Sequence, residues 1–265
     1  MRIFMRIWVP VVRRGGPLAI ALAAAWTRGS AEEKPPPAPR ITALTPLAVP
    51  PGFSGPVRLR GVRLKEATAV RAEGAIHPVT LEIKERKEAA TPSGIEATVA
   101  GDSEIVVEIA LPADAAAGPL SLVVVMGETA AAPVVLTVCA RTTLVTGDPG
   151  SGFQNAKMID PGSSVSGTIG SPREVDVFAV TAVAGRKLRA SITARATASL
   201  LDPLLTAYDG SGHQLAVRDD TSVTSRDAAL EVTPAADGSV YFVVQDALDL
   251  GSEWHSYLLE VAAVP

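Results

Sequence analysis

Short runs of apolar and β-branched residues, bounded by glycine- and proline-containing turn signals, recur along this chain. "VRLRGVRL" (Val57 to Leu64) shows period-2 alternation, and further short β-rich runs lie at 79–83, 95–99, 104–111, 119–126 and 134–138. Turn residues separate them at Gly74, Pro92-Ser93-Gly94, Gly101-Asp102, Gly118-Pro119 and Gly127. A helix would need apolar residues at a 3.6-residue period over a long segment, and only residues 64–70 are ambiguous. Short strands at this spacing predict a β-sandwich. The charge run "KERKE" (Lys84 to Glu88) reads as a solvated loop.

The same grammar continues to the C-terminus. Leu188, Ala190 and Ile192 alternate with Arg189 and Ser191, which predicts the first three inward. Leu204, Thr206 and Tyr208 lead into Asp209-Gly210, a favoured tight-turn pair, and Leu215 and Val217 resume the alternation beyond it. Residues 240–244 read as a strand buried on both faces, and Tyr257, Leu259 and Val261 as the closing strand. The acids change type between the halves. Of 13 acids in residues 32–146 only Asp102 and Asp114 are aspartates, whereas 11 of the 15 from Asp148 onward are. Aspartate prefers turns and makes a compact oxygen ligand, so the second half has loops of a different character.

Residues 1–31 read as a secretory signal: Arg2, Arg6, Arg13 and Arg14 make a basic start, "PLAIALAAAW" a short apolar core, and "GSA" a small-residue cleavage site. Cleavage there removes five arginines and no acid, taking the net charge from −4 to −9. A chain so acidic does not attract nucleic acid or an anionic membrane. No remaining apolar run approaches the roughly 20 residues of a membrane span. Residues 32–39 then form a proline-rich tether. The single cysteine, Cys139, excludes a disulfide framework. An extracytoplasmic location follows: periplasmic, surface-held or secreted.

Two resemblances refine the division. "PRITALTPLAVPPGFSGPVRLRGVRL", with "AGPLSLVVV" later, resembles the IPT/TIG immunoglobulin-like domains, which implies a sandwich over residues 40–141. "GTIGSPREVDVFAVTAVAGRKLRASITA", "LDPLLTAYDGSGHQLAVRDD", "PAADGSVYFVVQD" and "SYLLEV" together resemble the bacterial pre-peptidase C-terminal domain. That likeness implies a jelly-roll-like sandwich over residues 155–265, joined to the first by a linker at 142–154. It also implies a calcium site, in which an E-P-N-N/D segment cooperates with a later acidic pair. Here "DPGSGFQNA" supplies Asp148 and Pro149 but has Gly150 and Ser151 where the asparagine-type ligands belong, and Glu174 and Asp176 form the acidic pair. Calcium held weakly by Asp148, Glu174 and Asp176 is the expectation.

Catalytic patterns are sparse. Ser256 adjoins His255, but neighbouring strand residues point to opposite faces, and no G-x-S-x-G elbow occurs. "GDPGSG" (Gly147 to Gly152) lacks the Lys-Ser/Thr of a phosphate loop. The residues therefore suggest a non-enzymatic exported accessory protein contacting protein or polysaccharide in the envelope or outside the cell. One alternative is a carbohydrate-binding module using Trp254 as its stacking surface. Another is a hydrolase built on Asp202, Asp209, Asp219 and Asp220.

Overall fold

The computed structural model describes residues 38–74, 78–92, 94–144, 149–222 and 224–264, and over these the chain is all-β. The proposed signal, His77 and Asp148 lie outside the described residues. Four sheets pack as two face-to-face pairs. In the first pair, one sheet has the spatial order Arg40–Thr45, Ser54–Val62, Ser103–Ala110, Thr80–Glu88. The facing sheet runs Ala48–Val49, Val134–Val138, Gly118–Met126, Ala69–Glu73, with Thr129–Ala130 beside Gly118–Met126. Leu44, Val57, Leu59, Ile105, Val107, Ile109, Leu122, Val124 and Leu136 fill the space between them. Alternation dictates this: each such residue lies two along from the next on its strand, so one face of each sheet is apolar.

Two expectations fail in the first sandwich. "KERKE" is not a loop; it completes the edge strand Thr80–Glu88, paired antiparallel with Ser103–Ala110 and kinked between Ile83 and Glu85. Its charges are what an edge strand needs to stay unpaired with other chains, and they look outward in the ion pairs Lys84–Glu82 (2.7 Å) and Lys65–Glu88 (2.6 Å). Residues 95–99 do not form a strand either: Ala97–Ala100 is a single helical turn. The Ala100 carbonyl there accepts from Thr42 Oγ1 at 2.7 Å and Arg60 Nε at 2.8 Å, partners that an extended segment would not present in this way.

The second pair comprises Thr142–Leu144, Ser163–Thr168, Ser256–Val264, Lys187–Thr193, Ala229–Val232 in one sheet. Its partner sheet is Lys157–Met158, Val175–Ala182, Gly238–Asp246, Pro203–Tyr208, Gln214–Arg218. Phe178, Val180, Leu188, Ala190, Ile192, Leu205, Phe242, Tyr257 and Leu259 form the core. Leu188, Ala190 and Ile192 thus face inward as the alternation predicts.

Within the stretch expected as a linker, Thr142–Leu144 pairs parallel with Ser163–Thr168 and so joins the second sandwich's sheet. The two sandwiches are moreover welded, and Pro37–Pro265 forms one unit. Leu258, on the face of its strand opposite to Tyr257 and Leu259, joins the first core. Ser166 Oγ accepts from the Leu47 and Ala48 amides (3.2 and 3.4 Å), and the Leu44 amide donates to the Ala198 carbonyl (2.8 Å). Ala43, Ala100, Leu200 and Trp254 make a third small core in the seam, with Ile95 against it.

Candidate functional site

Of the expected calcium ligands, Asp148 lies outside the described residues; among the described residues no group of three or more His, Cys, Asp or Glu side chains is placed to hold a metal. The remaining acidic pair is split at Asp176. It is fully buried and accepts the Tyr257 hydroxyl inside the second sandwich, whereas Glu174 stays outside and takes a hydrogen bond from Ser171 Oγ at 2.9 Å. Gly167 makes room for the tyrosine, since a Cβ there would collide with the phenol. Gly150 is also no vacated ligand position. Its φ of +121° and the carbonyl of Asn155, into which a Cβ would run, require glycine, and its own carbonyl accepts the Val177 amide at 2.9 Å. Asp176→Ala should therefore lower stability by about 1–3 kcal/mol, the cost of a buried hydroxyl losing its acceptor. The loss should be the same in calcium and in chelator when both are followed by thermal melts; a loss seen only in calcium would restore the metal reading.

The aspartates of the second half act on backbone amides instead. Asp209 accepts from the amides of Ser211 (2.8 Å) and His213 (2.9 Å), and Asp227 from Ala194 (3.1 Å) and Arg195 (2.8 Å). Asp246 takes the amides of Asp202, Leu248 and Leu250 at 2.9, 2.9 and 3.0 Å. The short carboxylate closes loops by this mechanism, which is why aspartate replaces glutamate here. Asp202 pairs with Arg226 at 3.4 Å and Asp219 accepts the Asp220 amide, so three of the four candidates for a hydrolytic site, Asp202, Asp209 and Asp219, are engaged in three different loops.

Ser256 and His255 are both fully buried. Ser256 Oγ meets Thr168 Oγ1 (3.2 Å), and His255 Nδ1 meets Ser252 Oγ (2.8 Å), which also accepts the Trp254 amide (3.2 Å). Ser252 and His255 thus close a turn. The His255 Nε2 atom has no hydrogen-bond partner among the described residues. Burial holds this imidazole below its ordinary value, despite the nearby Asp246 charge that acts the other way. The folded state therefore prefers the neutral ring. Its contribution to stability is complete above the ordinary imidazole value of about 6.5 and is lost as pH falls from there toward the folded value. Denaturation midpoints should decline from pH 7.5 to pH 5, and His255→Gln should flatten that part of the profile; parallel profiles would contradict it.

Trp254 does not offer a stacking face to solvent, for it is 1% exposed. Its ring lies in the seam beneath two guanidinium groups, Arg58 at 4.8 Å and Arg60 at 5.7 Å from the ring centre. Arg58 also bonds Glu104 (2.6 Å) and Glu253 (2.8 Å), and this arginine holds the Glu253 carboxyl below the usual range. The tryptophan read from sequence as the ligand contact is a structural wedge.

The exposed aromatic surface is elsewhere. Tyr208 and Tyr241 are directly opposed on neighbouring strands of the fourth sheet, on its outer face, because Leu205, Ala207, Val240 and Phe242 take the inner one. Residues 149–156 run past this sheet, and Phe153 folds onto it, 4.5 Å from Tyr241 in a stacked arrangement and 5.2 Å from Tyr208 in a tilted one. Phe153 is 38% exposed. One face of its ring is therefore spent on the tyrosines while part of the ring meets water, and the turn carrying exposed His213 lies beside it, with Gly212 nearest the ring. Aromatic rings grouped in this way present a rigid apolar surface with hydroxyls at its margin. Sequence alone hides the cluster, since Phe153 is remote from both tyrosines in the chain and residues 240–244 read as buried on both faces, whereas Tyr241 lies part-exposed on the outer one.

No family model matches the chain, and no curated protein sequence does. Solved structures give distant likenesses. The pre-peptidase C-terminal domain of a collagenase from Bacillus anthracis matches at 15% identity over 40% of this chain and 93% of that one, TM-score 0.31. The glucan-utilization protein SGBP-B of Bacteroides ovatus, solved with a mixed-linkage heptasaccharide, matches at 9% identity over 82% of this chain and 72% of that one, TM-score 0.25. The secreted serine protease VesC of Vibrio cholerae matches at 9% identity over 86% and 51%, TM-score 0.29.

Proposed function

We propose that this chain is an exported, non-enzymatic binding protein that contacts polysaccharide through the Phe153, Tyr208 and Tyr241 patch. The observation that carries the reading is the half-exposed Phe153 ring stacked on two cross-strand tyrosines at the surface of the second sandwich. A sugar ring has an apolar face of C–H groups and a rim of hydroxyls. Such a face gains by covering a fixed aromatic ring, while the rim reaches the tyrosine hydroxyls and the polar side chains around them. The rings here are already stacked, so little side-chain freedom is lost on contact. The basic, then apolar, residues 1–31 support export, and the turn-bound aspartates and buried Ser-His pair support a binding role over a hydrolytic one.

Affinity electrophoresis of the mature chain in gels containing soluble glucans, xylans, mannans and pectins tests this. At least one polysaccharide should retard the wild type, and Phe153→Ala should weaken that retardation about tenfold or more, equivalent to about 1.4 kcal/mol. Circular dichroism of the variant should stay unchanged, since Phe153 belongs to neither core. Retardation by none of them, or equal retardation of variant and wild type, would overturn the reading.

A further inference from the structure

We infer that the open side of the second sandwich holds a separate site for a carboxylated sugar, of the hexuronate class. Where the edge strands Gln214–Arg218 and Ala229–Val232 approach each other there is a cleft of about 420 Å³, lined by Arg189, Ala216, Arg218, Thr221, Leu230 and Glu231, with Ala229 beside them. That volume lies within the range of small-molecule sites and exceeds what one monosaccharide needs. The cleft is remote in register from the aromatic patch, since Arg218 opposes Leu205 while Tyr208 opposes Gln214 at the other end of the same strand pair.

The chemistry of the walls selects the guest. Arg189 stands opposite Glu231 across the sheet, yet Glu231 pairs diagonally with Lys187 at 3.1 Å. The Arg189 side chain makes no ion pair or hydrogen bond among the described residues, and Arg218 uses Nη1 on the Val217 carbonyl at 2.9 Å. Two guanidinium groups, whose planar forks match a carboxylate, are thus left with donors to offer in one concavity. Ala216, Ala229 and Leu230 supply the apolar part that a bare anion would not use. Thr221 donates its hydroxyl proton to the Asp227 carbonyl and so can only accept from a guest. The acids around the cleft set the charge of the guest. Glu231 lines it, and Asp219 and Asp220 lie in the turn between Arg218 and Thr221. A dianion such as phosphate meets more repulsion from Glu231 than a monoanion does, and a monoanion bearing hydroxyls also gives Glu231 donors to accept from. A uronic acid ring has all of these features: one carboxylate, several hydroxyls and a C–H face.

The experiment is a titration of the isotope-labelled mature chain followed through its amide resonances, with sodium glucuronate, glucose and inorganic phosphate as separate probes. Glucuronate should move signals from 187–193, 214–221 and 229–232 in a saturable way, and glucose should leave them in place. Arg189→Gln combined with Arg218→Gln should weaken the glucuronate response by about tenfold or more. Phe153→Ala should leave it unchanged, which separates this site from the aromatic patch whatever the outcome there. No response to glucuronate overturns the inference. So does an equal response to phosphate, which would mark a general cationic surface, or an undiminished response in the double variant.

Discussion

Trp254→Ala should lower the unfolding free energy by about 3–5 kcal/mol, the range for removing a large buried aromatic side chain. The indole fills the seam among Ala43, Ala100, Leu200 and Ile95, and these four side chains do not fill the space it leaves. The cation–π contacts of Arg58 and Arg60 vanish with the ring, which adds about 0.5–2 kcal/mol where guanidinium groups are desolvated. The shape of the transition should change as well. Calorimetry of the wild type should show a single cooperative transition, because Leu258, Ser166 and Trp254 tie the two cores into one unit. The alanine variant should broaden or split into two, since each core lies between its own pair of sheets. A loss below about 1 kcal/mol with an unchanged transition would show that the seam is decorative.

Arg60→Met should be of comparable severity, about 3 kcal/mol or more. The guanidinium is 2% exposed and collects carbonyls from two loops: Ala100 at 2.8 Å, Ala90 at 2.7 Å, Gly101 at 3.1 Å and Ala89 at 3.4 Å. Methionine matches the stem but takes the donor from the Ala89, Ala90 and Gly101 carbonyls, at about 1–3 kcal/mol for each one that water does not reach, while the Ala100 carbonyl keeps Thr42 Oγ1. Arg60→Lys should recover only part of the loss, because a single ammonium cannot span both loops as a planar fork does. Urea denaturation would read both variants as shifts in midpoint with the slope retained. A lysine variant as stable as the wild type would show that charge alone, and not the fork, holds the loops.

Much of the fold was legible because alternation reports directly on which face of a sheet is buried. Leu188, Ala190 and Ile192 are inside for that reason, and the Asp209-Gly210 turn connects the strands it was read to connect. Alternation is silent about a sheet whose outer face is also covered. Ser164, Ser166 and Leu258 occupy outward positions and are nevertheless buried, since the first sandwich docks on that face. The same blindness misplaced Trp254: an indole in a polar "LGSEWHS" loop looks exposed until a second domain is set against it. At the calcium candidates, the acidic pair was read for charge, whereas Asp176 occupies an inward position two before Phe178 and so serves the core. The aromatic patch escaped because its third ring arrives from a segment with no periodicity at all.

A host with a flexible joint must freeze that joint when a guest bridges both of its parts, and the frozen motion is subtracted from affinity. Here the joint is absent. Thr142–Leu144 begins the second sandwich's sheet within a few residues of the first sandwich's last strand, and Ser164 Oγ is within hydrogen-bond distance of both Cys139 Sγ (3.2 Å) and Thr142 Oγ1 (2.9 Å). If the polysaccharide proposed above also touched the first sandwich, it would find its two footholds at a fixed spacing and bearing. The second foothold is then gained at a high effective concentration, provided the polymer's repeat fits the spacing, and is forfeited when it does not. Discrimination among polymers of the same sugar would then fall to the period of their linkages, read by the protein as a rigid ruler.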